Sequence, residues 1–311
     1  MKKESPEEKR QRLLGLARES LSTAYSGNEH SIAQAIASYN ELEKTRNLVH
    51  EKLEEWYGIF FPELRLANQV TYAKFIAEFG ADKKAMDAEK LSALLGGAAE
   101  AVSRQASTSI GRDPTPEEYD QLRSLASLEL SIADAEAGLD RYLESSAKKL
   151  MPNITYLVDY KVAAELLGRA GSLIKLANMP SGTIQLLGAE KALFKHIKFG
   201  TKPPKYGTLF KLQQVGGAGR WDRGRIARIY ATKIAIAARA DAISKNFIAD
   251  KLKEQIDRVV SIQRPERRPA DQGAQQRPQR QGYGHWRAQG GQGRDQGQRP
   301  RRSGPRRYNR R

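Results

Sequence analysis

The sequence predicts an all-α protein: a long antiparallel coiled coil, a second helical domain and a disordered Arg/Gly-rich tail. Three observations carry this. Two stretches place apolar residues at alternating spacings of three and four, later stretches repeat Ala, Ile and Leu closely, and no segment sustains the two-residue alternation of a strand. The 311 residues have room for about two folded domains, and four segments are expected: 1–30, 31–150, 151–263 and 264–311.

Residues 1–30, MKKESPEEKRQRLLGLARESLSTAYSGNEH, read as one short helix and a loop. From Ile32 a seam runs through Ala35, Tyr39, Leu42, Val49, Leu53, Trp56 and Phe60, with Arg46 at its one charged position. Its period of 3.5 is that of a coiled coil. It stops at Phe61-Pro62, because proline disfavours helix in the residue before it. A second seam, Leu125, Leu128, Ile132, Ala135, Leu139 and Tyr142, opens at Thr115-Pro116-Glu117-Glu118 and ends near Met151-Pro152. Threonine there can cap, proline suits the first helical position and Glu118 completes a capping box. LANQVTYAKFIAEFG and KLSALLGGAAEAVSRQA between the seams are shorter helices at the tip of the hairpin. An ordinary helical bundle fits the same spacings. If the two helices also splay, the seams hold more apolar surface than one hairpin buries, so a homodimer through residues 31–150 is expected.

Residues 154–183 and 224–259 are helical in pattern, and IARIYATKIAIAARADAI is apolar enough to be buried on most faces. From Arg264 the chain has almost no aliphatic residue and cannot offset the entropy of ordering. Its arginines, interspersed with Tyr283, Trp286 and Tyr308, suit loose RNA contact through phosphates and stacked bases. A tail that only confers solubility is the plainer alternative.

Lys and Arg number 53 against 36 Asp and Glu, a net charge of +17. Residues 1–150 are net −5, whereas 151–263 and 264–311 are each net +11. This asymmetry points to a polyanion, nucleic acid before acidic membrane. The absence of cysteine excludes disulfides, thiolate metal sites and cysteine nucleophiles. No apolar run approaches the roughly 18 residues of a membrane span, and the N-terminus lacks a signal-peptide core, so a cytoplasmic protein is expected.

Catalytic patterns are poor. His30, His50, His196 and His285 lie far apart with no metal-binding pair, and neither a nucleophile elbow nor a dinucleotide fingerprint occurs. Gly219-Arg220-Trp221-Asp222-Arg223-Gly224-Arg225-Ile226 mimics the glycine spacing of a phosphate loop. Arginine replaces its lysine and Ile226 its magnesium-binding hydroxyl. A binding protein without metal or cofactor is expected, not an enzyme.

The strongest binding candidate is GAEKALFKHIKFGTKPPKYG, residues 188–207. Lys191, Lys195 and Lys198 fall on neighbouring turns of one helix face. Lys202 and Lys205 continue the charge into a loop stiffened by Pro203 and Pro204. A solvated helix face running into a turn is the alternative reading.

Placed in its context, AGSLIKLANMPSGTIQLLGAEKALFKHIKFGTKPPKYGTLF followed by GRIARIYATKIAIAARAD, this stretch resembles the Nop domain. The upstream AIASYNELEKTRNLVHEKLEEWYGIFFPEL resembles the start of the coiled coil in the same proteins. Together these cover most of residues 31–260. The wording sits nearest the archaeal members of the Nop fifty-six/fifty-eight type, scaffolds of box C/D small ribonucleoproteins that guide 2′-O-methylation of RNA. The resemblance implies a Nop domain over 151–263 that binds a kink-turn RNA jointly with a kink-turn-binding ribosomal-protein homologue. It also implies a coiled coil that self-associates and a front domain that recruits fibrillarin. Only residues 1–30 precede the coiled coil here, so weak fibrillarin docking is expected, anchored by Leu13, Leu14, Leu16, Leu21 and Tyr25. Methyl transfer needs S-adenosylmethionine, and no Gly-rich strand-to-helix loop is present to hold it.

The charge pattern and the resemblance together assign Lys191, Lys195, Lys198, Lys202, Lys205, Tyr206, Arg220, Arg225 and Arg228 to RNA. The resemblance assigns Gly188, Ala189, Glu190, Ala192, Leu193 and Phe194 to the protein partner of the particle. Glu190 also admits two local roles, orienting Lys191 or favouring the helix dipole. An RNA chaperone acting mainly through the basic tail is the alternative function.

Overall fold

Glu29–Tyr57 (α2) and Pro116–Leu150 (α6) are the two longest helices among the described residues, about 44 Å and 52 Å at 1.5 Å per residue. In the computed structural model, which describes residues 5–25, 27–83 and 86–262, they run antiparallel. Ile32, Ala35 and Ile36 at the start of α2 share a core with Leu143 and Ala147 at the end of α6. Leu53 and Tyr57 share another with Leu122 and Ala126. The hairpin therefore joins two hydrophobic cores, one at each end. The tail expected from Arg264 lies outside the described residues. Ahead of the hairpin, α1 (Pro6–Tyr25) is a 20-residue helix, longer than the short helix expected, with Leu13, Leu14 and Leu16 exposed.

Capping fixes where the helices begin. Thr115 Oγ1 accepts from the Glu118 N–H, and Glu118 reaches back to the Thr115 N–H, the capping box the sequence predicts. Asn68, Asp87, Asp159 and Ser172 cap α3 (Gln69–Phe79), α4 (Ala88–Leu95), α8 (Tyr160–Ala170) and α9 (Leu173–Asn178) through their side chains. With α5 (Ala99–Thr108), α3 and α4 form the distal end of the hairpin. Tyr57, Phe60, Phe61, Tyr72, Phe75 and Phe79 fill its core. The buried Lys83 ties this end together, its Nζ donating to the carbonyls of Phe60 at 2.7 Å and of Gly111.

The first heptad seam follows the inward face of α2: Ile32, Ala35 and Leu53 are buried and Tyr39, Leu42, Val49 and Trp56 half-buried, while Ile36 and Tyr57, outside the seam, are buried as well. The second does not match α6. Leu128, Ala135 and Tyr142 face solvent, and the buried stripe runs instead through Leu122, Ala126, Glu129, Ile132, Glu136, Leu143 and Ala147. The physical reason is that two glutamates occupy core-facing positions, each paired with a residue of α2. Arg46 Nε lies 2.9 Å from Glu136 Oε2, and His50 Nδ1 lies 3.1 Å from Glu129 Oε1.

At the other end α7 (Pro152–Leu157), α9, α10 (Ser181–Leu186) and α14 (Ala249–Val260) pack against α13 (Arg223–Arg239), while α8 packs on α2, α6 and α9. Helix α13 buries Ile226, Ala227, Tyr230, Ala231, Ile234, Ala235, Ala237 and Ala238, as its composition predicts. Its small residues let neighbouring backbones approach closely. A π turn, Ala240–Ser244, follows and buries Asp241. That carboxylate accepts from the Asn153 N–H and side chain at 3.0 and 2.7 Å and from the Ile154 N–H at 3.0 Å. The segments expected as helical over 154–183 and 224–259 are thus several short helices, each ended by a cap or a turn. Among the described residues there is no strand, and no helix is long and apolar enough to cross a membrane.

Candidate nucleic-acid interface

Two glycines build the corner from which the basic stretch projects. Gly188 has φ +88°, a left-handed conformation that an L side chain rarely adopts, and a Cβ there would lie 2.5 Å from Thr208 Oγ1. Its N–H donates to Glu190 Oε1 at 2.6 Å. A Cβ on Gly207 would lie 1.9 Å from the Leu187 carbonyl oxygen. That close approach lets Gly207 N donate to Gln185 O at 3.0 Å and Thr208 N to Leu187 O at 2.7 Å. Gln185 Nε2 also donates to Lys205 O at 2.5 Å. The loop carrying Lys205 and Tyr206 is thereby fastened to the end of α10.

From this corner α11 (Glu190–Phe199) stands clear of the body, for none of its residues is buried. Lys191, Lys195 and Lys198 are exposed, as the spacing predicts. So are Ala192, Phe194, Ile197 and Phe199, the three large ones about two-thirds exposed, while Ala189 and Leu193 are half-buried. A helix with both a cationic and an apolar face in solvent is built to be covered by something else. Gly200, with φ +65°, ends it by bonding back to His196 O at 2.8 Å. Lys202 beyond it is exposed as well.

An ion network holds the corner to α8. Glu165, nearly buried, meets Lys211 Nζ at 2.7 Å and Arg169 Nη2 at 2.8 Å. Burial pushes its carboxyl up, but the hydrogen bonds from Lys211 and Arg169 outweigh that and hold it below the usual range. Arg169 also lies 3.6 Å from Glu190. Burial raises the Glu190 carboxyl too, and the Gly188 N–H, its own N–H and Arg169 prevail to lower it. Glu190 therefore braces its own helix start against Arg169; in this structure it does not orient Lys191.

The remaining sites divide. Arg220 and Arg228 are exposed. Arg225 is half-buried and engaged within the chain: its Nε pairs with Asp222 at 3.0 Å, and its Nη atoms donate to the carbonyls of Val259 at 2.9 Å and Ile262 at 3.0 Å. Its donors fasten the end of α14 to the start of α13. Lys205 and α13 meet, since a Cβ on Gly224 would sit 3.6 Å from Lys205 Cδ. Tyr206 stacks on Phe210, with centroids 5.0 Å and planes 15° apart, and the Arg223 guanidinium lies 5.5 Å from the Phe210 centroid. Sequence reasoning missed Arg169, Glu165, Phe210 and Arg223. The first two carry no local motif, whereas the aromatic-basic wording around Phe210 and Trp221 was a usable signal.

The Nop family model, described as snoRNA binding domain, fibrillarin, matches residues 38–261. An uncharacterized NOP5 family protein of Methanocaldococcus jannaschii is 39% identical over 241 residues, covering 76% of this chain and 58% of that protein. Nucleolar protein 58 of Candida glabrata is 40% identical over 217 residues, covering 69% of this chain and 42% of the relative. The Saccharomyces cerevisiae protein of that name is 38% identical with the same coverage. This chain thus spans about six-tenths or less of the length of these relatives. A crystal structure of a fibrillarin/Nop5p complex aligns with a TM-score of 0.42 at 22% identity, over 81% of this chain and 75% of the other.

Proposed function

The chain belongs to the Nop family, and from that premise we propose that it is the scaffold subunit of a box C/D guide ribonucleoprotein of the archaeal kind. In this reading it grips a kink-turn RNA already occupied by its ribosomal-protein-like binder and holds fibrillarin, which performs the 2′-O-methylation. The chain contributes no catalytic residue. Two copies associate through the hairpin of α2 and α6.

The observation that supports this most is α11, with no buried residue and with lysines and large apolar side chains both in solvent. A helix that only met RNA would have little use for Phe194, Ile197 and Phe199. One that only met protein would have little use for Lys191, Lys195 and Lys198. Phosphate contacts position a protein on RNA without reading its sequence, and shape supplies the selectivity. The joint surface of a folded RNA and its bound protein suits both faces of α11.

The 14 arginines among residues 264–311 favour a second reading, a general RNA binder acting through the tail. Binding of the full-length protein to a kink-turn RNA, with and without its protein partner, separates the two. The scaffold prefers the occupied kink-turn over a plain duplex by about tenfold or more, a gap of at least 1.4 kcal/mol. Equal binding to both RNAs, lost on truncation after Gln263, would assign the function to the tail.

A further inference from the structure

Between the kink-turn surface and the start of α13 lies an aromatic-basic cluster. The Tyr206–Phe210 stack fixes Phe210, which remains 44% exposed. Arg223 lies over it, oriented by a 2.9 Å hydrogen bond from its Nε to the Ala218 carbonyl. The turn leading into α13 is closed by Asp222 N and Arg223 N donating to Gly219 O at 2.9 and 3.2 Å. It carries Arg220 and Trp221 outward, Trp221 being 68% exposed. Lys205 reaches the same place along Gly224. Across residues 205–228 Asp222 is the single acid in the sequence, and Arg225 engages it at 3.0 Å. Lys211 is held by Glu165; Lys205 and Arg220 are exposed.

Leaving an indole in water forgoes a large apolar burial, and the fold gains nothing visible from Trp221 in return. An exposed ring that stands between Arg220 and the oriented Arg223 in the sequence has a direct use: unpaired bases stack on it while neighbouring phosphates meet the cations. The charge favours RNA over a protein partner. Stacking favours single strands, because duplex bases already stack on one another.

We propose that Trp221, Phe210 and Arg223, with Arg220 and Lys205, form a stacking platform for an unpaired RNA segment leaving the kink-turn. The platform rests on the RNA-binding reading of this chain, and it is tested separately from it.

The test uses the full-length protein with the kink-turn binder and two RNAs, one a blunt kink-turn and one with a short unpaired extension carrying 2-aminopurine. Wild type gains affinity from the extension and quenches the 2-aminopurine. Trp221→Ala, a change at an exposed position, loses about five- to a hundredfold on the extended RNA, abolishes the quench and binds the blunt RNA like wild type. Phe210→Leu, which keeps an apolar filler, moves the same way. Wild-type affinity and quench in Trp221→Ala overturn the platform. Equal weakening on both RNAs also overturns it and assigns the surface to the kink-turn complex. If wild type ignores the blunt RNA, the scaffold reading fails, and Trp221→Ala against unpaired oligouridine still decides the platform.

Discussion

His50 Nδ1 lies 3.1 and 3.3 Å from the two carboxylate oxygens of Glu129, a side chain fully buried between α2 and α6. One of those oxygens, Oε1, has no hydrogen bond of good geometry. Together with Arg46 and Glu136, this pair occupies the middle of the hairpin, where both apolar cores thin out. Polar pairs in a helical seam are costly to desolvate, yet they fix register, because any slip of α2 along α6 leaves a buried charge alone.

Removing one partner should therefore cost more than removing both. We expect Arg46→Leu and Glu136→Leu each to destabilise the protein by about 3 kcal/mol. The double variant should recover most of that loss. Urea denaturation of the four proteins measures it, and additive losses would show that the pair contributes no coupling.

A pH dependence follows from Glu129. Burial pushes its carboxyl up, against the opposing pull of His50 and then Arg46. An acid with a raised folded pKa contributes stability that is complete below its unfolded value and is lost as pH rises through the folded one. His50→Leu removes the larger of the two opposing influences on Glu129, so the variant should be closest to wild type in acid and fall away as pH rises. Thermal melts across that range test the slope, and a constant gap at every pH would contradict it.

These pairs also show how far the sequence was legible. The helix ends at Thr115 and Met151 and the inward face of α2 could be read directly, because capping and apolar period are local signals. The stripe of α6 could not. Glu129 and Glu136 stand where apolar residues are expected, so period alone shifted the face onto Leu128, Ala135 and Tyr142. Arg46, the one charged site of the first seam, was the clue to a buried counter-charge. At the interface, exposure of Lys191, Lys195 and Lys198 was legible from spacing. The inward commitment of Arg225 to α14 depends on contacts more than 30 residues away, which no local pattern reveals.

The lysines of α11 give the next prediction. Lys191→Glu with Lys195→Glu should abolish recruitment to the RNA–partner complex. In the parent, each lysine that meets a phosphate adds about one to the salt slope, so the pair accounts for about two. Both side chains are exposed, so circular dichroism and melting temperature should be unchanged. Titration at several salt concentrations tests this; undiminished binding would remove α11 from the RNA surface.

The proposed self-association has a candidate surface on the distal end of the hairpin. Ile110 is 89% exposed, yet its loop is held firmly: Glu63 accepts from the Ile110 N–H at 3.1 Å and from Ser109 Oγ at 2.7 Å. A Cβ on the adjacent Gly111 would lie 2.2 Å from the Phe60 carbonyl and 3.0 Å from that of Ile59, itself 58% exposed. Two large aliphatic side chains are thus exposed on backbone segments that meet at Gly111, where a held backbone keeps the entropy cost of contact small. Light scattering of the full-length protein should give twice the 34.7 kDa chain mass. Ile110→Asp should shift the population to monomer without lowering the melting temperature, since the side chain makes little contact within its own chain. A dimer that survives this change would place the interface elsewhere along α2 and α6, with Leu48 and Leu128, both about half exposed, the next positions to reverse.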